Sequence, residues 1–172
     1  EELEKARNAC EAAERAYGFL RDTQRADGSW PIRWQDGVVE DDETDSNFCA
    51  YVAVGVWHHH LVTGRPGFLE SMWDTVRRAL DLVLLFQGPE GRMWWGSGDK
   101  GFCEEALITG SSSIHHALRC GVAIAEELGE TAPDWDAAAD RLGHALRAHP
   151  ELFLPKPEFS MDWYYPVLGG VM

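Results

Sequence analysis

Acidic side chains gather at three places in the sequence, each just ahead of an apolar run and each with aromatic residues nearby. The first group is Asp42, Glu43 and Asp45; the second is Glu104 and Glu105, which follow Trp94 and Trp95; the third is Glu158 and Asp162, with Trp163 and Tyr164 beside them. Two carboxyl groups facing each other across a pocket can split into a raised-pKa acid and an ionised base, which is what glycoside hydrolysis requires. One buried acid with aromatic walls could instead protonate an alkene and stabilise the resulting carbocation by cation–π contact. The plainer alternative is that these acids cap helix N-termini, where the macrodipole favours negative charge. Asp42, Asp45, Glu104, Glu105 and Asp162 are therefore the candidate catalytic residues, and Trp94, Trp95, Trp163 and Tyr164 the candidate ligand-binding aromatics.

Other reactive residue types carry less. His58, His59 and His60 are consecutive, so on a helix they point around the axis and cannot share one ion. One of His115 and His116 is expected to face an internal cavity, and His115 joins the ligand-binding candidates. Ser111, Ser112 and Ser113 sit where a helix cap belongs, with no Gly-x-Ser-x-Gly elbow to make a nucleophile. Cys10, Cys49, Cys103 and Cys120 are dispersed, which reads as reduced, mostly buried thiols and offers no clustered zinc ligands. No metal site is expected; a diphosphate substrate would bring magnesium with it.

The elements that must position these groups are helices of two kinds. Residues 3–25 place Leu3, Ala6, Cys10, Ala13, Tyr17 and Leu20 at three- and four-residue steps, the stripe of a helix with one wet face. A loop is expected over 31–42. From an N-cap at Asp45 or Ser46 to Thr63 the run Phe48–Trp57 leaves no polar face, which predicts a helix buried on nearly all sides. Residues 69–87 are amphipathic again, 92–105 form a Trp- and Gly-rich loop, 106–128 turn apolar after Ser113, 134–148 are amphipathic, and an apolar helix is expected from Met161 to the end. Wet and dry helices alternate, and two concentric layers satisfy that pattern without strands. The loops ahead of the dry helices then open onto the central cavity, and they are the loops that hold the carboxylates.

Short echoes support a two-helix repeat of about 65 residues. Gln24 to Trp30 is matched by Gln87 to Trp94, Thr44-Asp45-Ser46 by Thr109-Gly110-Ser111, and Gly64 by Gly129. The spacing of Gln24, Gly28 and Trp30 resembles the QW motif of terpenoid cyclases, whose (α/α) toroid is shared by protein prenyltransferase β-subunits. In that family the Gln caps a helix end and the Trp stacks on it, so the resemblance implies a structural brace and no catalytic residue. The stretch from Thr63 to Leu69, continuing through Met72-Trp73-Asp74 to Gln87 and Gly91, is similar to six-hairpin glycosidases of the glucoamylase-like and debranching types. Gly110 to Ile114 and Met161 to Pro166 loosely resemble small bacterial proteins termed prenyltransferase-like, a likeness of fold more than of chemistry. Departures are plain: Glu40 to Asp45 lacks the Asp-x-Asp-Asp acid of class II cyclases, its acids precede a helix instead of lining one, and Asp99 and Cys103 are too far apart for a prenyltransferase zinc site.

The 172 residues suffice for one domain, and 45% hydrophobic with 26% charged residues is a globular composition. A net charge of -14 argues against nucleic acid and anionic lipid as partners, and no stretch of about 18 apolar residues is present. A cytoplasmic protein is expected. Six helices are half of a closed toroid, so a second half-barrel, from a longer chain or another chain, is expected to complete the ring. The reading is thus an all-α partial (α/α) toroid over 1–172 that binds or transforms an isoprenoid in an apolar, aromatic-lined cavity. The alternatives are a six-hairpin glycoside hydrolase with paired carboxylates and a carbohydrate ligand, or a non-catalytic repeat scaffold.

Overall fold

The computed structural model describes every residue except 157. Its helices are α1 (Glu2–Thr23), α2 (Ser46–Thr63), α3 (Pro66–Leu84), α4 (Ile108–Glu127), α5 (Pro133–Ala148) and α6 (Met161–Leu168). Among the described residues, five short strands lie between them: β1 (Arg33–Gln35), β2 (Val38–Asp41), β3 (Thr44–Asp45), β4 (Gly96–Gly98) and β5 (Gly101–Cys103). Proline starts α3 and α5, where its missing N–H costs nothing, and Gly64 ends α2 in the left-handed region (φ 61°) with its N–H on the His60 carbonyl.

Helix α2 packs on α4 and α4 on α6; α3 packs between α1 and α5; and the hairpins α2–α3 and α4–α5 tie the two rows together. These are the two expected layers, with α2, α4 and α6 inside. The seam between them is closed by Val56, Leu69, Val76, Leu80, Ile114, Leu118, Ile124 and Leu142, all buried. Each such aliphatic side chain contributes roughly 1.5–3 kcal/mol by leaving water.

The repeat is built from matching hydrogen bonds. Gln24 Nε2 donates to the Gly28 and Thr75 carbonyls, both at 3.0 Å, and Gln87 Nε2 donates to those of Gly91 at 3.1 Å and Ala138 at 2.9 Å. Each Gln therefore ties its own turn to the next outer helix. Gly28 (φ 96°) and Gly91 (φ 90°) make those turns, and a Cβ there would lie 2.3 Å from the Arg78 carbonyl oxygen and 2.8 Å from that of Arg141. Only glycine permits both the dihedral and the approach. The Trp of the motif acts through its N–H: Trp30 Nε1 donates to the Leu20 carbonyl at 2.9 Å.

Several expectations need correction. The protein is mostly helical but not strand-free. The 31–42 loop folds into the β1–β2 hairpin, and β3, β4 and β5 form a small antiparallel sheet in which β4 is central. Helix α2 does not bury Phe48–Trp57 on every side: Phe48 is 55% and Tyr51 41% exposed, because they face the open inner side of the layer, while most of Ile114–Ile124 is buried. Helix α3 runs 66–84 instead of 69–87, and α6 stops before Gly169 and Gly170 instead of continuing to Met172. Ser112 and Ser113 do not cap α4; they lie inside it, and their hydroxyls bond back to the Ile108 and Thr109 carbonyls. Cys49 and Cys120 are buried, but Cys103 is exposed on β5.

Candidate active site

The N-termini of the inner helices share one end of the layer, and the small sheet is stitched to that end. Strand β3 pairs with β4 through Thr44 opposite Ser97 and Asp45 opposite Gly96. One residue later Ser46 donates its N–H to the Trp95 carbonyl at 2.9 Å and its hydroxyl to that of Trp94 at 2.8 Å. The start of α2 is thereby fixed against the Trp94–Trp95 segment.

Asp45 sits at this junction, 8% exposed. Its Oδ1 accepts the Phe48 N–H at 3.0 Å, which is the expected N-cap, and its Oδ2 accepts the Trp95 indole N–H at 2.8 Å. Burial pushes its pKa above the ordinary aspartate value; the N–H donors of Phe48, Trp95 and Asn47 oppose the shift without cancelling it. The carboxyl therefore holds its proton more tightly than an ordinary aspartate, the direction a general acid needs.

Asp45, Phe48 and Trp95 separate two cavities. One, about 310 Å³, has apolar walls from Met93, Leu107, Ile114, Met161 and Phe159. Its polar residues are Asn47, Thr109, Ser111, Lys156 and Asp162, besides Asp45 and Ser46. Asp162, in the first turn of α6, accepts the Thr109 hydroxyl at 2.7 Å. Asn47 Oδ1 and Ser111 Oγ are shielded from solvent with no hydrogen-bond partner among the described residues. Lys156 Nζ stands 5.7 Å from the Trp95 ring centroid and 6.0 Å from that of Phe159, a cation over two aromatic faces at the rim. The other cavity, about 630 Å³, lies over the sheet and adds Glu43, Asp99, Lys100 and Phe102.

Of the residues singled out from sequence, Asp45, Trp95 and Asp162 meet here. The others do not. Asp42 is exposed and ion-paired with Arg25, outside both cavities. Glu104 and Glu105 are exposed and line a separate cleft with Arg92 and Glu151, because the backbone after β5 turns the Glu105 carbonyl onto the Trp95 N–H and leaves the side chains outside. Trp94 packs on Phe102 beside the core instead of lining the first cavity. Trp163 is 74% exposed, and Tyr164 packs against it and Tyr165. His115 is buried away from the cavity, with Nδ1 on the Gly169 carbonyl at 2.9 Å, and burial lowers its pKa. Asn47, Phe48 and Ser111 were missed although they flank the N-cap and the serine run; Lys156 and Phe159 gave no sequence signal, since they lie in an irregular segment.

No protein-family model matches the sequence. The chain is 53% identical over 162 residues, 94% of its length, to the MMP endo-(1,4)-3-O-methyl-α-D-mannosidase of Mycolicibacterium hassiacum, and it spans 45% of that relative. In fold it is similar to a rhamnosidase from Klebsiella oxytoca solved with rhamnose bound, with a TM-score of 0.65 at 16% identity over 93% of this chain and 34% of that one. The two-layered helical fold is thus one that a glycosidase also has, and the sequence relative carries a glycosidase name; neither comparison supports the terpenoid-cyclase resemblance.

Proposed function

We propose that this chain carries the acid-bearing, sugar-binding part of an endo-acting glycosidase for (1,4)-linked 3-O-methyl-α-mannose chains. The observation that carries the reading is Asp45: a buried carboxyl with a raised pKa, oriented by two N–H donors, between two cavities each large enough for a sugar ring. Similarity to the endo-mannosidase supplies the substrate class. Asp45 gives its proton to the glycosidic oxygen as the bond breaks. Asp162, which lines the same smaller cavity and is held by the Thr109 hydroxyl, takes a proton from the water that attacks the anomeric carbon, so the sugar gains that hydroxyl as the leaving oxygen departs with the Asp45 proton. Trp95 both orients Asp45 and offers an aromatic face to the sugar. The carbohydrate alternative thus takes precedence over the isoprenoid reading that the apolar inner helices suggested.

The test is to incubate the protein with a 3-O-methylated α-(1,4)-mannooligosaccharide, and in parallel with a farnesyl diphosphate analogue, following reducing ends and binding heat. The proposal expects binding and cleavage of the oligosaccharide, loss of cleavage in Asp45→Asn with binding kept, and no response to the diphosphate. Binding of the diphosphate alone would overturn it.

A further inference from the structure

We infer that the 310 Å³ cavity is the pocket that selects the methyl ether, with Met93, Leu107, Ile114 and Met161 forming the wall against which the O-methyl group is seated. The inference rests on the glycosidase reading above and goes beyond it by assigning the residues that tell a methylated sugar from a plain one.

The wall is unusual for a sugar site. Met93 and Ile114 are each 1% exposed and belong to the hydrophobic core, so no water reaches behind them. A free hydroxyl turned toward four apolar side chains would lose its water and gain no partner, which weakens binding roughly 10–100-fold. A methyl group in the same place gains contact area and loses nothing. The same cavity also has a polar demand. Asn47 Oδ1 and Ser111 Oγ are buried without partners among the described residues, and buried polar atoms are rarely left so. Both residues line the cavity, and a side-chain rotation would turn either atom to a hydroxyl of the same sugar ring: Asn47 Oδ1 accepts one, and Ser111 Oγ accepts or donates. One apolar wall with two unmet polar atoms describes a sugar with one substituent capped and its neighbours free.

A matched pair of short α-(1,4)-mannooligosaccharides, one 3-O-methylated and one not, is titrated into the protein and into its Met161→Gln and Ile114→Thr variants by calorimetry. Wild type is expected to bind the methylated form about 10–100-fold more tightly. Each variant should lose most of that preference, chiefly by weakening the methylated ligand. Met161 opens α6 and is 39% exposed, so its variant tests the wall even where Ile114→Thr disturbs the core. Equal affinity for the two sugars in wild type, or an unchanged preference in both variants, overturns the assignment and leaves the glycosidase reading standing. Failure of wild type to bind either sugar overturns the glycosidase reading itself.

Discussion

Asp45 accepts two N–H donors with two different oxygens, so replacing it by asparagine has a cost that can be worked out. Asparagine has one carbonyl oxygen. If that oxygen keeps the Phe48 N–H, the cap survives, because Asn and Asp are equivalent N-caps. The amide NH2 then faces the Trp95 indole N–H, and a buried donor is left without an acceptor at about 1–3 kcal/mol. At roughly 2–4 °C per kcal/mol for a chain of this length, Asp45→Asn should lower Tm by about 2–12 °C. Removing the indole donor as well should restore part of the loss. A double-mutant cycle of Asp45→Asn with Trp95→Phe should return a favourable coupling of about 1–2 kcal/mol.

The cost depends on pH, with a definite sign. The folded Asp45 carboxyl has a pKa above its unfolded value of 3.8. Such a group contributes stability that is complete below the unfolded pKa and is lost as pH rises through the folded one. Asparagine does not titrate, so the penalty of Asp45→Asn should be largest in acid and shrink toward neutrality. Thermal unfolding followed by circular dichroism at a series of pH values measures this directly. A penalty that grows from acid to neutral pH would mean that the carboxyl is held ionised and would remove it as the acid; a cycle with no coupling would mean that the Trp95 indole does not hold it.

Asp162→Asn keeps the Thr109 bond but cannot act as a base, so cleavage should fall by about 10²–10⁴ while oligosaccharide affinity changes less than about tenfold; cleavage near the wild-type rate would exclude Asp162. Gln87→Ala should destabilise by about 2–3 kcal/mol and Gln24→Ala by about 1–2 kcal/mol in urea melts, because Gln87 Oε1 also accepts Arg141 Nε at 3.0 Å whereas Gln24 Oε1 has no partner among the described residues. His115 has its pKa lowered by burial, so it withdraws stability as pH falls below the ordinary histidine value of 6.5; His115→Gln, which retains a donor for the Gly169 carbonyl, should flatten that acid-side slope in the same melts.

Much of the fold was legible because an inner helix has little room for charge. Ile114, Leu118 and Ile124 could only be buried, and Arg77, Asp74 and Asp140 on the outer helices only wet. The repeat was legible because the turn at Gly28 and Gly91 accepts no other residue. The strands were not: β3, β4 and β5 span two or three residues each, too short for an alternation, and Gly96-Ser97-Gly98 reads as loop. Nor could hydrophobicity distinguish a core residue from a cavity wall, so Phe48 and Tyr51 were expected inside. The acids divide by backbone direction. Asp45 was legible as a cap, whereas Glu104 and Glu105 share its composition but leave β5 pointing away from the cavity.

Two opposed effects meet at Asp45, and their balance decides its role. It lies at the N-terminus of an 18-residue helix and accepts the Phe48 and Trp95 N–H groups, all of which favour the carboxylate. A helix N-terminus supplies about 0.3–1 kcal/mol at an exposed site, and each charge-assisted hydrogen bond about 1.5–3 kcal/mol before the loss of water is counted. Burial works against the charge and can move a carboxyl by several pKa units when complete. Here Phe48 and Trp95 crowd the carboxyl, and burial outweighs the donors. Had the sheet been absent, the same cap would face water, and its donors would leave it an ordinary ionised aspartate. The short strands that the sequence concealed are therefore what turn a structural N-cap into a candidate proton donor: β4 brings Trp95 against the start of α2, and that contact dries the carboxyl while holding it in place.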